Sequence, residues 1–416
     1  MVVAAITLSA CGTTPDAAPT STTSGPSGTA LSERLAAAVS ISPVDGTTGV
    51  ALNAPVTVTT STGHLTSVEV TPTTGAPLTG SLNGRATRWT SAGALGATST
   101  YQVTAVVRGR SGATGTATSS FTTLTPTAWV GASVWPDSGL TVGVGQPIVV
   151  RFTQPIVTPS SRQSVLAFLH LSLSDPVAVG AYWFSPTELH LRPQSPWPSG
   201  EQISFSDSLG GWDAGSGEWG QGAASVTFTI GDAKISTANL ATHQMTVTDN
   251  GQVVATYPIS AGRDQYPTMN GVHLVLDRES QVHMISSSVG IPVNSPDGYD
   301  EIVYWDVHIS DSGEYVHAAP WSVGAQGNSN VSHGCINVSP TDAEQFFNFS
   351  RVGDIVYVVG GPRPPVPGDH GVMDWSTPWE SFTPVAVSQL PAPPPAATTP
   401  PTAATAPSTA ATVPTT

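Results

Sequence analysis

The sequence predicts a mainly β protein, in which two immunoglobulin-like β-sandwich modules are followed by a β-rich domain with one packed helix. First, Gly (41 residues), Pro (37 residues), Ser and Thr dominate the non-apolar positions, a composition that favours short strands and turns. Second, segments such as Tyr101–Val107 alternate between apolar and polar residues, as strands do. Third, the spacing of Ser42-Pro43 and Pro55-Val56 recurs in Trp135-Pro136 and Pro147-Ile148, which indicates a repeated module.

The two modules are expected at residues 41–127 and 128–231, because each has the length and the regular short strands of an immunoglobulin-type sandwich. Neither contains a cysteine, so neither sandwich can carry a disulfide between its sheets. Trp89, Trp183 and Phe228 are therefore interpreted as core residues. A length of 416 residues is sufficient for these modules and one further domain.

The third domain is expected at residues 232–361. Gln244–Thr256 predicts a hairpin around the turn Asn250-Gly251. Thr341–Phe349 is the one good helix candidate, since Pro340 precedes it and acidic residues occupy its first turn. The further predicted strands are Val272–Leu276, Ile302–His308, Tyr315–Ala318 and Ile355–Val359.

The ends of the chain have a different composition. We expect a flexible tether at residues 12–40, which are rich in Thr, Ser, Pro, Gly and Ala, although Leu31–Ala36 could form a helical turn. Residues 362–384 form an aromatic C-terminal extension. Residues 385–416, rich in Pro, Ala and Thr, are expected to be disordered.

Residues 1–11 are interpreted as a signal segment that ends in a lipobox, Leu8-Ser9-Ala10-Cys11. Lipidation of Cys11 would place the protein outside the cytoplasm, anchored to the outer face of the membrane within the cell wall. The alternative is an ordinary signal-peptide end, and no Lys or Arg precedes the apolar run as is usual for a signal. The run is too short to span a bilayer as a helix.

The charge of the chain limits the classes of partner that it can bind. Acidic residues outnumber basic ones by 28 to 13, and no basic stripe is present, so no nucleic-acid partner is expected. The two cysteines, at positions 11 and 335, are too few for a disulfide framework. Cys335 therefore needs an explanation of its own.

Cys335 lies in the segment Ser332-His333-Gly334-Cys335-Ile336-Asn337, with His317 upstream. A cysteine attacks a carbonyl as its thiolate, so a basic imidazole must lie within hydrogen-bond reach. His333 cannot easily fold back onto the sulfur along an extended strand, whereas His317 can arrive from a neighbouring strand. We therefore predict that His317 is the base and that the site performs cysteine acyl transfer. Backbone N–H groups of Gly334 and Cys335 are the natural donors to the oxyanion.

The spaced pattern, with Val316–Gly324 before the motif and Val338–Ala343 after it, resembles the L,D-transpeptidase family (the YkuD-type catalytic domain) over roughly residues 40 to 383. The resemblance implies that the third domain transfers peptidoglycan stem peptides. Cys335 would attack a tetrapeptide stem, release D-alanine and form a 3→3 cross-link with the diamino acid of an acceptor stem. It also implies covalent inhibition by carbapenem-type β-lactams.

The resemblance also implies roles for residues around the cysteine. Tyr299 would line the oxyanion hole with its hydroxyl, and Ala318, which replaces a serine common in relatives, could offer His317 only a backbone carbonyl. His333 would shape the pocket and Asn337 would hold the loop, with a structural role and substrate contact equally open for both. The residues expected to contact substrate are Met284, Tyr299, Trp321, Ser332 and Asn337, with core packing an open alternative for Met284 and Trp321.

Other chemistries fit the sequence less well. A zinc site is one alternative, with His308, His317 and Cys335 as its ligands. Metallopeptidase motifs are absent from the sequence, so no metal or cofactor is expected. His243, His273, His283 and His370 are interpreted as ordinary polar residues without partners. An L,D-carboxypeptidase or an anchoring transferase would use the same thioester, and a non-catalytic wall-binding spacer is the alternative from another class.

Overall fold

A computed structural model describes residues 28–390, which form two compact units, 28–127 and 128–390. Cys11, most of the predicted tether and most of the predicted disordered tail lie outside the described residues. Within residues 28–390, no helix is long and apolar enough to cross a membrane.

The first unit is a β-sandwich with one helix. Its two sheets have the strand orders β1-β3-β6-β5 and β2-β8-β7-β4, and all their strand pairs are antiparallel except β2 with β8. Trp89, Tyr101 and Phe121 fill the space between the sheets. The elements are α1 Gly28–Ala37, β1 Val39–Ser42, β2 Thr47–Val50, β3 Thr57–Thr60, β4 His64–Pro72, β5 Gly80–Leu82, β6 Arg88–Ser91, β7 Thr100–Arg108 and β8 Thr114–Thr123.

The helix α1 corrects the predicted tether. Its Leu35 is 3% exposed and lies against Gly109 and Gly115, where any side chain at Gly115 would overlap the helix backbone. The expectation of a flexible tether is therefore wrong for residues 28–40, because the buried Leu35 and the close approach of the helix backbone to Gly115 hold this short helix on the sandwich.

The second unit begins with another sandwich, made of two five-stranded sheets and a small three-stranded sheet (β17-β18-β9). Phe228 is buried, and Trp183 packs against the same core. Its elements are β9 Ala128–Val130, β10 Ala132–Trp135, β11 Thr141–Val142, β12 Ile148–Phe152, α2 Pro159–Ser164, β13 Leu169–Leu173, β14 Val179–Trp183, β15 Glu188–Pro193, β16 Gln202–Asp207, β17 Asp213–Gly215, β18 Glu218–Gly220 and β19 Ser225–Ile230, with a 3₁₀ turn at Val165–Phe168.

The rest of the second unit adds two more sheets around a separate core, into which α3 inserts Ala343 and Phe346. The sheet orders are β22-β21-β20-β28-β23 and β24-β25-β26-β27. The elements are β20 Lys234–Asn239, β21 Gln244–Asp249, β22 Gln252–Pro258, β23 Gly271–Leu274, β24 Asp277–Ile285, β25 Asp300–Ser310, β26 Glu314–Ala318, β27 Ile336–Val338, α3 Pro340–Phe349 and β28 Ile355–Val359, with 3₁₀ turns at Ser286–Val289 and Pro320–Ser322.

The C-terminal segment returns to the second sandwich. After α4 (Met373–Ser376) and a 3₁₀ turn at Trp379–Ser381, β29 (Thr383–Val385) pairs with β14 and β30 (Val387–Gln389) pairs with β13. The expectation that disorder begins at residue 385 is therefore wrong for residues 385–390, because their backbone groups are used by the edges of both sheets.

The second sandwich and the sheets that follow it are joined by close backbone packing. The N–H of Gly143 donates to Val352 O at 2.8 Å, and that of Gly145 donates to Gly353 O at 2.9 Å. A Cβ on Gly143 would overlap the backbone of Gly353 and Asp354. Leu274 and Ile355 also belong to the core cluster of the sandwich. These contacts explain why residues 128–390 form one compact unit.

Gly143→Ala is expected to destabilise the second unit by about 3 kcal/mol, because the overlap lies against backbone that cannot move aside. Urea unfolding followed by tryptophan fluorescence measures this change. Gly210→Ala is the matched control, since an added Cβ there meets no atom within 4 Å. Equal stability of the two variants would contradict the prediction.

Candidate active site

The strand pairing of β26 and β27 brings the predicted base and nucleophile to one cavity. The two strands are parallel, with Val316 opposite Ile336 and His317 opposite Asn337, and Cys335 directly precedes β27. His317 and Cys335 both line a cavity of about 270 Å³. The other predicted site residues on its wall are Met284, Tyr299, Trp321, Ser332, His333 and Asn337.

Hydrogen bonds inside the turn that carries Cys335 stabilise it. The hydroxyl of Ser332 donates to Cys335 O at 2.6 Å and accepts from the N–H of Gly334 at 3.1 Å. Gly334 has a φ of 134°, a conformation that favours glycine, and its carbonyl accepts from Thr268 Oγ1 at 2.7 Å. Its N–H is used by Ser332 in this structure, so donation by Gly334 to an oxyanion would require that contact to be shared or released, and it stays a prediction. The N–H of Cys335 stays a predicted donor.

His317 is oriented by a backbone acceptor. Its Nδ1 lies 3.0 Å from Ala318 O, so Nδ1 carries the proton and Nε2 carries the lone pair of the neutral ring. The side chain is buried, and burial lowers its pKa to about 4. At pH 7 the imidazole is therefore neutral and able to accept a proton.

Cys335 is half-buried, and its Sγ lies 3.8 Å from Gly313 O. Desolvation raises the pKa of its thiol to about 12, and the nearby carboxyls of Glu314 and Asp306 contribute to the rise. Both shifts favour the neutral forms of the thiol and the imidazole in the absence of substrate.

The two carboxyls near Cys335 were not identified from the sequence. Asp306 is fully buried, and neither carboxylate oxygen has a hydrogen-bond partner. Burial raises its pKa to about 7. Glu314 accepts from the N–H of Met269 at 2.9 Å and pairs with Arg363 at 2.8 Å, and burial raises its pKa to about 7 as well. Nothing in the sequence marks either residue as a buried ionisable group beside a cysteine.

The hydrogen bonds of His333 make it unsuited to act as the base. Arg263 Nη2 donates to His333 Nε2 at 3.0 Å, and the same nitrogen pairs with Asp297 at 2.5 Å. Desolvation and the charge of Arg263 lower the pKa of His333. Asp297 belongs to residues 286–299, which we call the lid loop, and Tyr266 also donates to it at 3.2 Å. This network joins the lid loop to the turn that carries the cysteine.

The remaining predicted residues divide between scaffold and wall. Asn337 is buried, and its amide donates to Ser322 Oγ at 3.1 Å, which holds the turn that follows the base. Trp321 is 56% exposed, with its ring 6.0 Å from the ring of His317, so it is a wall of the cavity and not a core residue. Met284 is half-buried on the same wall.

Tyr299 stands at the end of the lid loop, where its N–H donates to Ser286 Oγ at 3.1 Å. Burial and the neighbouring Cys335 raise its pKa. At neutral pH its phenol therefore keeps its proton and can donate a hydrogen bond into the cavity.

Comparisons with known proteins identify relatives of both parts of the chain. A model of a bacterial immunoglobulin domain matches residues 47–213, and a model of the L,D-transpeptidase catalytic domain matches residues 233–358. L,D-transpeptidase 2 of Mycobacterium tuberculosis is 38% identical over 355 residues, which cover 85% of this chain and 86% of that protein.

Two solved structures are also similar. One is an L,D-transpeptidase in complex with imipenem, with 37% identity, a TM-score of 0.49, and coverage of 55% of this chain and 99% of that chain. The other is L,D-transpeptidase 3 of Mycobacterium tuberculosis with a faropenem-derived adduct, with 35% identity, a TM-score of 0.47, and coverage of 54% of this chain and 96% of that chain.

Proposed function

The chain belongs to the L,D-transpeptidase family, and on that basis we propose that it cross-links peptidoglycan stem peptides by acyl transfer through Cys335. The observation that carries this proposal is the shared cavity of Cys335 and a buried, neutral His317 whose Nδ1 is fixed by Ala318 O. A base oriented in this way leaves Nε2 to take the thiol proton.

In the first step, Cys335 Sγ bonds to the carbonyl carbon of the third residue of a tetrapeptide stem. The thiol proton passes to His317 Nε2 and then to the nitrogen of the terminal D-alanine, whose C–N bond breaks. The N–H of Cys335 and the hydroxyl of Tyr299 are the proposed donors to the tetrahedral oxyanion. The product is a thioester on the enzyme and free D-alanine.

In the second step, the side-chain amine of a diamino acid in another stem attacks the thioester. The amine loses a proton to His317, which returns it to the sulfur, and a 3→3 cross-link is released. A second cavity of about 320 Å³ supports this step, because Cys335 lines it together with Tyr266, Ile291 and Glu314. Two cavities that meet at one sulfur fit two stems better than they fit one stem and water.

Incubation of the purified protein with a disaccharide-tetrapeptide, followed by mass spectrometry, tests the proposal. We expect a 3→3 dimer and free D-alanine, both abolished in Cys335→Ala. Tripeptide without dimer would instead establish an L,D-carboxypeptidase. No turnover by a protein that folds normally would remove the enzymatic assignment and favour a wall-binding spacer.

We further propose that the protein acts outside the cytoplasm, anchored to the membrane by a lipid on Cys11. The support is the sequence Leu8-Ser9-Ala10-Cys11 and a substrate that is a wall polymer. Metabolic labelling with a palmitate analogue, with Cys11→Ser as control, measures the modification. Label retained in Cys11→Ser would contradict it.

A further inference from the structure

A second polar cluster lies outside the cavity of Cys335, between the second sandwich and the C-terminal segment. It consists of Glu188 and His190 on β15 and of His370 before α4. One ligand atom from each lies within 4.8 Å of the other two, and no other group of this kind occurs in residues 28–390. His190 Nε2 is 2.6 Å from Glu188 Oε1, and His370 Nδ1 is 3.4 Å from the same oxygen. The expectation that His370 has no partner is therefore wrong.

The side chains of this cluster are oriented by further contacts. His190 is 2% exposed, and its Nδ1 lies 2.6 Å from Oδ1 of the buried Asp374. Phe184 stacks on the His190 ring at 4.1 Å. Arg151 Nε pairs with Glu188 Oε2 at 2.9 Å, which leaves Oε1 directed at the two histidines. A histidine whose second nitrogen donates to a carboxylate is the usual arrangement of a metal-bound imidazole.

We propose that Glu188, His190 and His370 bind one divalent transition-metal ion, with zinc as the best fit. The ligand atoms are His190 Nε2, His370 Nδ1 and Glu188 Oε1, a set of two imidazoles and one carboxylate that suits zinc. Asp374 acts as the outer partner that orients His190. The fourth position is open to water on the side of the half-exposed His370.

Two of the three separations between ligand atoms are close to those of a metal site, and the third, between the two imidazole nitrogens, is within 4.8 Å. Bonds of 2.0–2.2 Å in a tetrahedral site place ligand atoms roughly 3.3 Å apart. The separation of His370 Nδ1 and Glu188 Oε1 is already close to this value, at 3.4 Å. The separation of His190 Nε2 and Glu188 Oε1, 2.6 Å, must increase by less than about 1 Å. Binding displaces the proton shared by His190 Nε2 and Glu188, which is released to solvent. An adjoining cavity of about 150 Å³, lined by His190, His370 and Asp374, leaves room for this change.

The consequence of such a site is structural. Two of its ligands belong to the sandwich and the third belongs to the segment that follows β28, so the ion would clamp residues 362–390 to the sandwich. Metal that binds only the folded arrangement stabilises it by mass action. The site lies apart from the thiol chemistry, so it adds to the proposed function and does not depend on it.

Zinc binding to the full chain tests the proposal. The background is Cys11→Ser with Cys335→Ala, which removes both thiols as competing ligands. After chelator treatment and dialysis, isothermal titration with zinc chloride at pH 7.5 is expected to show one site per chain and a higher midpoint of thermal unfolding. Cobalt(II) in place of zinc is expected to give the intense visible absorption of a tetrahedral site.

The variants locate the site. His370→Asn is expected to weaken zinc binding by at least about 100-fold, and Asp374→Asn by about 10- to 100-fold. His283→Asn is the matched control, because His283 also pairs with a carboxylate, Asp300, but is exposed elsewhere. His370 is half-exposed in a loop, so its replacement is expected to leave the fold intact. His190 is buried, and a change there could unfold the protein. Absence of zinc binding in the background protein, or equal binding by His370→Asn, would overturn the proposal.

Discussion

His317→Ala is expected to slow the acylation of Cys335 by imipenem at pH 7 by about 10²- to 10⁴-fold, the usual contribution of a positioned base. The reason lies in the resting protonation of the pair. Because burial raises the pKa of Cys335 to about 12, the thiol is neutral and no preformed thiolate is available. The proton must then leave during attack, and His317 is the proposed acceptor, because its Nδ1 contact with Ala318 O leaves Nε2 without a proton. Intact-protein mass spectrometry over time measures the acylation rate.

The matched control for this experiment is His333→Ala. His333 also lines the cavity, but its Nε2 already accepts from Arg263. We therefore expect a loss of at most about tenfold, caused by a looser lid loop and not by loss of the base. Similar losses in both variants, or a loss below tenfold in His317→Ala, would show that the base has been misassigned.

Asp306→Asn is expected to raise the free energy of unfolding at pH 8 by about 2–4 kcal/mol and to leave it nearly unchanged near pH 4. The pKa of Asp306 is raised from 3.8 to about 7 by burial and by Glu279. Below pH 4 the carboxyl is protonated in both the folded and unfolded states, and its stabilising contribution is complete. Between pH 4 and 7 the unfolded chain loses the proton and the folded chain keeps it, so stability falls as the pH rises. Above pH 7 the loss is complete.

Urea unfolding at pH 4.5, 6 and 8 measures this dependence. Glu344→Gln on α3 removes a carboxyl that is exposed, and it is expected to keep the pH dependence of the parent protein. The asparagine at 306 retains the shape of a protonated aspartate, so it isolates the effect of charge. A variant that is less stable than the parent at pH 8 would contradict the expectation.

The parts of the fold that could be predicted from the sequence depend on local signals. The turn Asn250-Gly251 has positive φ at both residues, which matches the hairpin predicted from it. The helix α3 begins one residue before its predicted start, at Pro340, and ends at Phe349 as predicted. The strand β24 was missed because Asp277–Ile285 is mostly exposed, begins with three charged residues and lacks the alternation of a half-buried strand.

The parts that could not be predicted depend on contacts between distant segments. Asp374 contacts His190 although the two residues lie 184 positions apart in the sequence, and no local sequence pattern indicates that pair. The pairing of β26 with β27 was foreseen in outline, since His317 was expected from a neighbouring strand. The use of the Gly334 N–H by Ser332 was not foreseen, because it depends on side-chain geometry inside a turn of four residues.

The return of β29 and β30 to the second sandwich makes the catalytic domain an insertion within that sandwich. During folding, both sheets of the sandwich lack their last strands until residues 383–389 dock, and these residues follow every catalytic residue in the chain. Until then β13 and β14 are open edges that can pair with strands of other unfolded chains. The sandwich is thus completed only in molecules that contain the whole catalytic domain.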